Sequence, residues 1–568
     1  MELERLGVVE ALRGPVGADI DSLRLLAHAL PQVQSATALL QIVTKIRSHL
    51  SVSGTQGLTA AVDTLLGADA VAALVRLLAR DEHPSLQFEC CWALTNIASS
   101  VSPHTRALVD AGALPEFVRL LASASTQVAE QAAWALGNIA ADGVPLRDKI
   151  IAAGAIPPLL ALVTLSAPKS TLKNATWALS NLCRGKPGLP PPLVRLVLPT
   201  LAELITCDEK SVQEDALWAL SYVTDGSSSE LDAFVATGAV PRVAELLASP
   251  HPGVHTPALR AMGNLVTGNE AQTQAALEAG LLPRVAPLIS SQRHAVRKEA
   301  CWLVSNVCAG TPEQIQAVFA CNLVPALIHQ LITGESTVQR EACWALANTA
   351  VGGTPQHIND LVDLGGIPSL ARALEHTDPK VRIVALTGLT DIMGKAPEAH
   401  YARYLSEMEE AGVKDAINDA ANSGNAELRH RAEAFLAHFF PAEGGAARAD
   451  SHPTLVVKRL AGARLSERLA SCTACWLAKT PCACASKAPH ECAICQDADN
   501  DASEGPWTAL HCGHLYHQAC ILRWAAHVAR GGQSTVLCPQ DRKCVSCVVQ
   551  LPRGQGGEQE GHLRVPAV

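Results

Sequence analysis

Aromatic residues make up only 4% of this 568-residue chain, and charged residues only 17%. A hydrophobic content of 48% nevertheless excludes a disordered protein. The chain has no run of 18 apolar residues, which argues against a membrane span. The first residues lack the basic stretch and cleavage site of a secretory signal. The net charge of −9 argues against direct binding to nucleic acid and favours basic partners.

The few aromatic residues are unusual in kind, because the chain has 9 Trp but only 7 Phe and 4 Tyr. Its 19 cysteines fall into two groups. Those up to Cys343 lie in apolar helical segments and are predicted to be small buried side chains. The others are concentrated between Cys472 and Cys547. Without a secretory signal the compartment should be reducing, so this second group indicates metal ligands rather than disulfides.

A repeat of about 42 residues fills the first three quarters of the chain. Its marker is a proline that usually follows a glycine by three residues, with Asn322 in the glycine position once. Glycine or asparagine can end a helix in the left-handed conformation, and proline suits the first turn of the next, so the pattern predicts helix corners. An all-helical repeat of this length is typical of armadillo or HEAT solenoids with a long concave groove. The marker prolines are Pro115, Pro157, Pro199, Pro241, Pro283, Pro325 and Pro368.

A second series has the same period and is called the ladder below. It consists of Trp92, Trp134, Trp177, Trp218, Arg260, Trp302 and Trp344. Four residues after these come Asn96, Asn138, Asn181, Tyr222, Asn264, Asn306 and Asn348. A spacing of four puts each pair on one helix face. Asparagines can hold the backbone of an extended peptide, and neighbouring indoles can form slots for Lys or Arg, each cation–π contact contributing about 0.5–2 kcal/mol. The alternative is that the Trp side chains belong to the hydrophobic core and that the Asn side chains only join neighbouring repeats.

Seven segments around the ladder resemble successive repeats of importin-α, the adaptor family that binds nuclear localisation signals. They are WALTNIASS, WALGNIAADG, TWALSNLCRGKP, ALWALSYVTDG, ALRAMGNLVTG, CWLVSNVCAG and CWALANTAVGG. The resemblance covers about residues 36–440 and implies an all-α, right-handed armadillo solenoid of about ten units. It also implies that the protein binds basic signal peptides of cargo proteins and occurs in the cytoplasm and nucleus.

The same resemblance implies two peptide sites in the groove. The major site would comprise Trp92, Asn96, Thr105, Gln131, Trp134, Asn138, Asp142, Trp177, Asn181 and Trp218, with Thr105 and Asp142 forming the pocket for the key cargo lysine. The minor site would comprise Arg260, Asn264, Glu299, Trp302, Asn306, Glu341, Trp344 and Asn348. Glu299 and Glu341 would be its acids, although a solvated helix face is the alternative for such residues.

One feature departs from that family. Importin-α proteins begin with a basic segment that recruits importin-β, whereas residues 1–35 contain only Arg5, Arg13 and Arg24. The sequence therefore favours basic-peptide binding over recruitment of importin-β.

A different domain is predicted after a linker at 441–488. Seven Cys or His residues followed by an acid suit two tetrahedral zinc sites. They resemble a RING finger with two histidines over 489–548, followed by a disordered tail at 549–568. The resemblance implies one zinc on Cys492, Cys495, His517 and Cys520, and a second on Cys512, His514, Cys538 and Asp541, with Cys544 or Cys547 as alternatives to Asp541. Cys472, Cys475, Cys482 and Cys484 are candidates for a third zinc or are free thiols.

A RING finger acts by docking a ubiquitin-conjugating enzyme, which is an effect of proximity and orientation. The resemblance assigns docking to Ile494, Trp524, Pro539 and Arg542, although local packing around zinc is an alternative for Ile494 and Trp524. Two classes of function therefore compete. The protein is an adaptor for basic signal peptides, or it is a RING-type ubiquitin ligase whose groove selects substrates. A scaffold with neither activity is the third possibility.

Overall fold

The computed structural model describes residues 2–16, 19–52 and 54–441, and four short strands between 507 and 550. The chain divides into two compact units, Met1–Ala461 and Gly462–Val568. In its described part the first unit is helical throughout, as the repeat pattern predicts. It begins with α1 (Glu2–Arg5), α2 (Val9–Arg13), α3 (Ile20–Ala29), a 3-10 turn (Leu30–Gln32) and α4 (Ala36–Val52).

The helices that follow form groups along the chain, most of them with three members. The groups up to residue 223 are α5 (Thr55–Gly67), α6 (Ala70–Leu77) and α7 (Pro84–Ala98); α8 (Ser102–Asp110), α9 (Ala113–Leu120) and α10 (Thr126–Ala141); α11 (Val144–Ala152), α12 (Ile156–Leu162) and α13 (Lys169–Cys183); and α14 (Pro191–Leu204) and α15 (Lys210–Val223).

The later groups all have three α-helices. They are α16 (Ser228–Ala236), α17 (Val240–Leu246) and, after a 3-10 turn (Pro252–Val254), α18 (His255–Val266); α19 (Glu270–Glu278), α20 (Leu281–Ile289) and α21 (His294–Val307); α22 (Pro312–Ala320), α23 (Val324–Thr333) and α24 (Ser336–Gly352); α25 (Pro355–Asp363), α26 (Gly366–Ala373) and α27 (Pro379–Gly394); and α28 (Glu398–Glu410), α29 (Val413–Ala421) and α30 (Ala426–Phe439).

The last helix of each group packs against the last helix of the next. This row runs through α4, α7, α10, α13, α15, α18, α21, α24, α27 and α30. A single hydrophobic core runs under the row from Val8 to Phe439, because no unit can bury its apolar face alone. Six of the eight cysteines in the first group are buried, as predicted, namely Cys90, Cys91, Cys183, Cys301, Cys308 and Cys343, whereas Cys207 and Cys321 are only partly buried.

The predicted helix corners are present at most markers. Gly112, Gly154, Gly238, Gly280 and Gly365 have φ between 72° and 91°, and Asn322 has φ 54°. A further left-handed residue, Asp69 with φ 53°, precedes α6 where the glycine and proline of the pattern are replaced. The left-handed backbone, rather than glycine itself, therefore defines the corner.

The prediction is wrong at one marker, because Pro199 lies inside α14 rather than at the start of a helix. Residue 196, three positions earlier, is leucine, which does not favour the left-handed conformation that a corner requires. The run of prolines at 190–192 begins the helix instead, and α14 continues through Pro199. This group therefore has two helices.

The second unit is described only by two antiparallel strand pairs. In the first pair Trp507–Ala509 runs beside Leu515–His517, and in the second Thr535–Val536 runs beside Val549–Gln550. The disordered tail predicted from residue 549 is therefore wrong at its first two residues, which pair as a strand. Among the described helices, none alone is long and apolar enough to cross a membrane. By length and composition only, the bent pairs Gln56–Gly67 with Ala70–Leu77 and Pro312–Ala320 with Val324–Thr333 would suffice.

Candidate functional site

The ladder lies along the row of packed helices. Trp92, Trp134, Trp177, Trp218, Arg260, Trp302 and Trp344 lie on α7, α10, α13, α15, α18, α21 and α24, respectively. None of these side chains is fully buried. Trp134 is 40% exposed, which is high for a large apolar side chain in a fold with a continuous core. The ladder therefore reaches the surface of the row, with Trp134 exposed and its other members half-buried.

Two of the indoles pack against a glycine of the preceding helix in the row. A Cβ atom added to Gly137 would approach Trp177 Cζ3 to 2.4 Å, and one added to Gly263 would approach Trp302 Cζ3 to 2.2 Å. Only glycine allows these contacts, because a real Cβ atom does not come that close. Tertiary contact therefore sets the orientation of these indoles.

The asparagines bind the preceding repeat. The side-chain amides of Asn138, Asn181 and Asn348 donate to backbone carbonyls about 43 residues earlier, at 2.9–3.3 Å. Asn264 donates to Ser221 O at 2.9 Å, and Asn96 donates to Ser51 Oγ at 3.0 Å. These hydrogen bonds agree with the alternative that the Asn amide groups join neighbouring repeats. Within the described residues no donor reaches the Oδ1 atoms of these side chains, so each keeps an acceptor for another partner.

Asn306 is the exception in this series. Its Nδ2 atom is buried and has no hydrogen-bond partner among the described residues. An unpaired buried donor costs about 1–3 kcal/mol. Nothing in the structure explains why this amide differs from the others.

The two residues predicted to hold the key lysine lie near the same end of α7. Thr105 is buried, and its hydroxyl donates to Ala98 O at 3.3 Å. The carboxylate of Asp142 accepts from Ser102 Oγ at 2.6 and 2.7 Å, and Ser102 is one helical turn before Thr105. The polar group at this end of α7 thus includes Ser102, which the sequence pattern did not single out because its partner is 40 residues away.

A second threonine repeats the geometry of Thr105. Thr273 Oγ1 donates to Val266 O at 3.3 Å, at the end of α18. Thr273 follows Arg260 by the same interval that separates Thr105 from Trp92, and this interval is the sequence signal that could have identified it. The ends of α7 and α18 therefore share a hydroxyl–carbonyl pair.

Several predicted site residues are already engaged within the protein. Gln131 is buried and donates to Thr95 Oγ1 at 2.9 Å, so its amide joins two helices. Glu299 accepts from Arg260 Nη2 at 2.7 Å, which pairs two expected minor-site residues with each other. Glu341 lies 3.3 Å from Arg340 Nε, and burial raises the pKa of its carboxyl. The minor-site acids are thus largely buried rather than solvated.

The C-terminal metal and docking residues fall outside the described residues, with one exception. His517 lies in a strand, where its backbone pairs with Trp507. The residues outside are Cys492, Cys495, Cys512, His514, Cys520, Cys538, Asp541, Ile494, Trp524, Pro539 and Arg542, and the upstream cysteines Cys472, Cys475, Cys482 and Cys484.

Known protein families match segments in both compact units of the chain. The armadillo/beta-catenin-like repeat family matches residues 60–99, 102–141, 143–184, 269–309 and 311–351, and the ring finger domain family matches residues 490–542. The chain therefore contains armadillo repeats and, at residues 490–542, a RING finger domain. A HEAT-like repeat family matches residues 169–223. That segment contains the armadillo group in which α14 and α15 replace three helices.

The armadillo repeats of this chain are similar to those of importin-α. Importin subunit alpha-4 of Arabidopsis thaliana is 48% identical over 201 residues, which are 35% of this chain and 37% of that protein. Importin subunit alpha-B of Dictyostelium discoideum is 44% identical over 237 residues, 40% of this chain and 45% of that protein. The chain thus spans less than half the length of these curated relatives.

A solved structure shares the solenoid. An engineered protein whose crystal structure is known superposes with a TM-score of 0.67 at 28% identity, covering 73% of this chain and 98% of the other. Together with the family match, this superposition confirms the armadillo solenoid predicted from the repeat.

Proposed function

We propose that the armadillo solenoid binds basic nuclear localisation signals of cargo proteins, and that the protein acts as an import adaptor between cytoplasm and nucleus. The observation that carries the proposal is the exposed indole of Trp134 within a row of partly exposed ladder residues. A peptide running along this row would place Lys and Arg stems between neighbouring indoles, where packing and cation–π attraction act together.

The polar groups around the ladder support the same proposal. The Oδ1 atoms of the asparagines are acceptors for the N–H groups of an extended peptide. At the end of α7 the carboxylate of Asp142 and the carbonyl of Ala98 offer negative charge and a helix C-terminus, both of which favour a cation. A cargo lysine would compete with Ser102 for the Asp142 carboxylate.

The test is calorimetric titration of the full chain with a short basic signal peptide and with its Lys-to-Ala variant. We expect Trp134→Ala and Asp142→Ala each to weaken binding of the basic peptide about tenfold or more, with an unchanged unfolding temperature. Leu364→Ala is the control, since Leu364 is an exposed apolar residue outside the ladder. Equal affinity for both peptides, or no effect of Trp134→Ala, would refute the proposal.

A second function is favoured by the ring finger match at 490–542. We propose that this domain binds two Zn²⁺ through the eight ligands assigned from the sequence and docks a ubiquitin-conjugating enzyme through Ile494, Trp524, Pro539 and Arg542. Zinc would act structurally, since a domain this small has little other core. Substrates held by the solenoid would then be ubiquitinated. We expect ubiquitin transfer to the chain itself with a suitable conjugating enzyme, and Trp524→Ala to reduce it; no transfer with any conjugating enzyme would count against this function.

A further inference from the structure

The first ladder residue already has a cation on its ring. Arg47, on α4, places its guanidinium carbon 4.3 Å from the ring centroid of Trp92. Its Nε donates to Glu89 Oε2 at 2.8 Å, and its Nη2 donates to Glu89 Oε1 at 3.4 Å. The Arg47 and Glu89 side chains are only 18% and 15% exposed. An aromatic face and an acid, the two groups that would receive a peptide cation here, are therefore both occupied from within.

Trp92 and Trp134 differ sharply in this respect. Trp92 also makes a T-shaped contact with Phe88, with ring centroids 5.6 Å apart, and it is partly buried. Trp134 is 40% exposed, and among the described residues no Lys or Arg lies over its ring or over the rings of Trp177, Trp302 and Trp344. Trp92 is thus a closed position at one end of the ladder, next to an open one.

One other ladder indole has an internal cation, but the contact is looser. The guanidinium carbon of Arg260 lies 5.8 Å from the Trp218 ring centroid, and the Arg260 side chain is 39% exposed. Arg47 is closer to its indole, more buried, and held by two hydrogen bonds to one carboxylate. A charge pair of this kind is costly to open, because separating it leaves a desolvated acid without its partner.

We propose that Arg47 is an internal ligand of Trp92 and determines how long a basic peptide the groove accepts. The inference rests on the proposed binding of basic peptides to the ladder. In the wild-type chain a cargo cation reaches the Trp92 ring only by displacing Arg47 from Glu89. Removal of Arg47 exposes the ring and frees the acid, so that one further lysine of the peptide gains a slot.

The experiment compares a basic signal peptide with versions lengthened by one lysine, or by one alanine, at either terminus. For the wild-type chain we expect the lysine extensions to change the calorimetric Kd less than about twofold relative to the alanine extensions. For Arg47→Ala one lysine extension should bind about tenfold more tightly than its alanine counterpart, the size of a desolvated cation–π contact with an acid beside it. The other terminus should show no such preference.

The matched control is Arg119→Ala. Arg119 also forms an ion pair with its N–H groups, 2.7 Å from Asp81, but it lies over no ring of the ladder. Arg119→Ala should leave the preference for a lysine extension at the wild-type level.

The double variant Arg47→Ala/Glu89→Gln opens the Trp92 ring without leaving an unpaired acid, so it serves as the test if the single variant fails to fold. It should prefer the lysine extension by a smaller factor, about threefold.

The outcomes separate the two claims. If the unextended peptide binds and Trp134→Ala weakens that binding, but both Arg47 variants keep the wild-type ratio of Kd values while unfolding at the wild-type temperature, Arg47 is a structural residue and this inference alone is overturned. If the wild-type chain already prefers a lysine extension tenfold, the Trp92 position is open and the inference is also overturned. If no basic peptide binds the wild-type chain, the proposed function fails and this inference fails with it.

Discussion

Asp215 lies one helical turn before Trp218 on α15, and its carboxyl titrates far from the usual range. Burial, assisted by the neighbouring charge of Glu214, raises the pKa of Asp215 from 3.8 to about 7. Because the pKa is higher in the folded chain than in the unfolded chain, this group stabilises the fold below about pH 4, and that contribution is lost as the pH rises to about 7. The Asp215 carboxyl becomes negatively charged as the pH rises through about 7, and this charge would attract a basic peptide.

Peptide affinity should therefore depend on pH near neutrality. We expect a basic peptide without histidine to bind about three- to fivefold more tightly at pH 8 than at pH 6, as Asp215 ionises next to the ladder. Asp215→Asn should flatten this dependence, measured by calorimetry at both pH values. Asp110→Asn, at an exposed position away from the ladder, should not. A steep dependence that survives in Asp215→Asn would show that another group titrates.

At the scale of single residues, the sequence predicted the helix on which a residue lies better than the residues that it contacts. Each ladder residue lies on a helix of the packed row, as the spacing of 42 residues predicts. The contacts of Asp142 with Ser102, and of Trp92 with Arg47, join residues about 40 apart in the sequence. They depend on how neighbouring repeats pack, which local spacing does not encode.

At the scale of secondary-structure elements, the close contact between α10 and α13 can be tested through Gly137. Gly137→Ala should push the Trp177 indole away, because the added methyl carbon would lie 2.4 Å from Trp177 Cζ3. Overpacking of this kind costs about 1–3 kcal/mol. We expect the free energy of unfolding to fall by that amount in chemical denaturation, together with weaker binding of the basic peptide.

Gly188→Ala is the control for this change, because its added Cβ atom would meet nothing within 4 Å. It should leave both stability and binding near the wild-type values. If Gly137→Ala behaved like Gly188→Ala, the indole of Trp177 would not rest on the backbone of α10.

The helix corners show how far the sequence predicts elements. A Gly or Asn three residues before the proline is enough to predict a corner, since few other residues adopt positive φ without strain. At Pro199 the proline was present without that residue, and the helix runs on. At this position the lack of a residue that favours positive φ outweighs the repeat period.

At the scale of the whole molecule, we expect removal of zinc to affect the two compact units differently. Removal of zinc with a strong chelator should abolish ubiquitin transfer by the full chain, because a small zinc domain loses its fold without the metal. The helical circular dichroism, which comes mainly from residues 2–441, should change little. Transfer activity can be measured alongside zinc content by atomic absorption.

Zinc stoichiometry also tests the ligand assignment. Two ions per chain fit the ring finger alone, and a third that disappears in Cys472→Ser/Cys475→Ser would place it on the upstream cysteines. A purified chain that retained ubiquitin transfer after complete loss of zinc would contradict the assignment.

The sequence by itself determined the repeat and most of its helix corners, because the marker residues of each corner lie within one helical turn of each other and recur at a fixed period. It also determined the presence of the RING finger, whose cysteine and histidine spacing is local. Only the tertiary structure decided which ladder positions are open, because that depends on side chains from adjacent repeats. The exposed Trp134 and the closed Trp92 carry the same motif, and packing distinguishes them. Arg47, paired with Glu89, lies over the Trp92 indole, whereas among the described residues no Lys or Arg lies over that of Trp134.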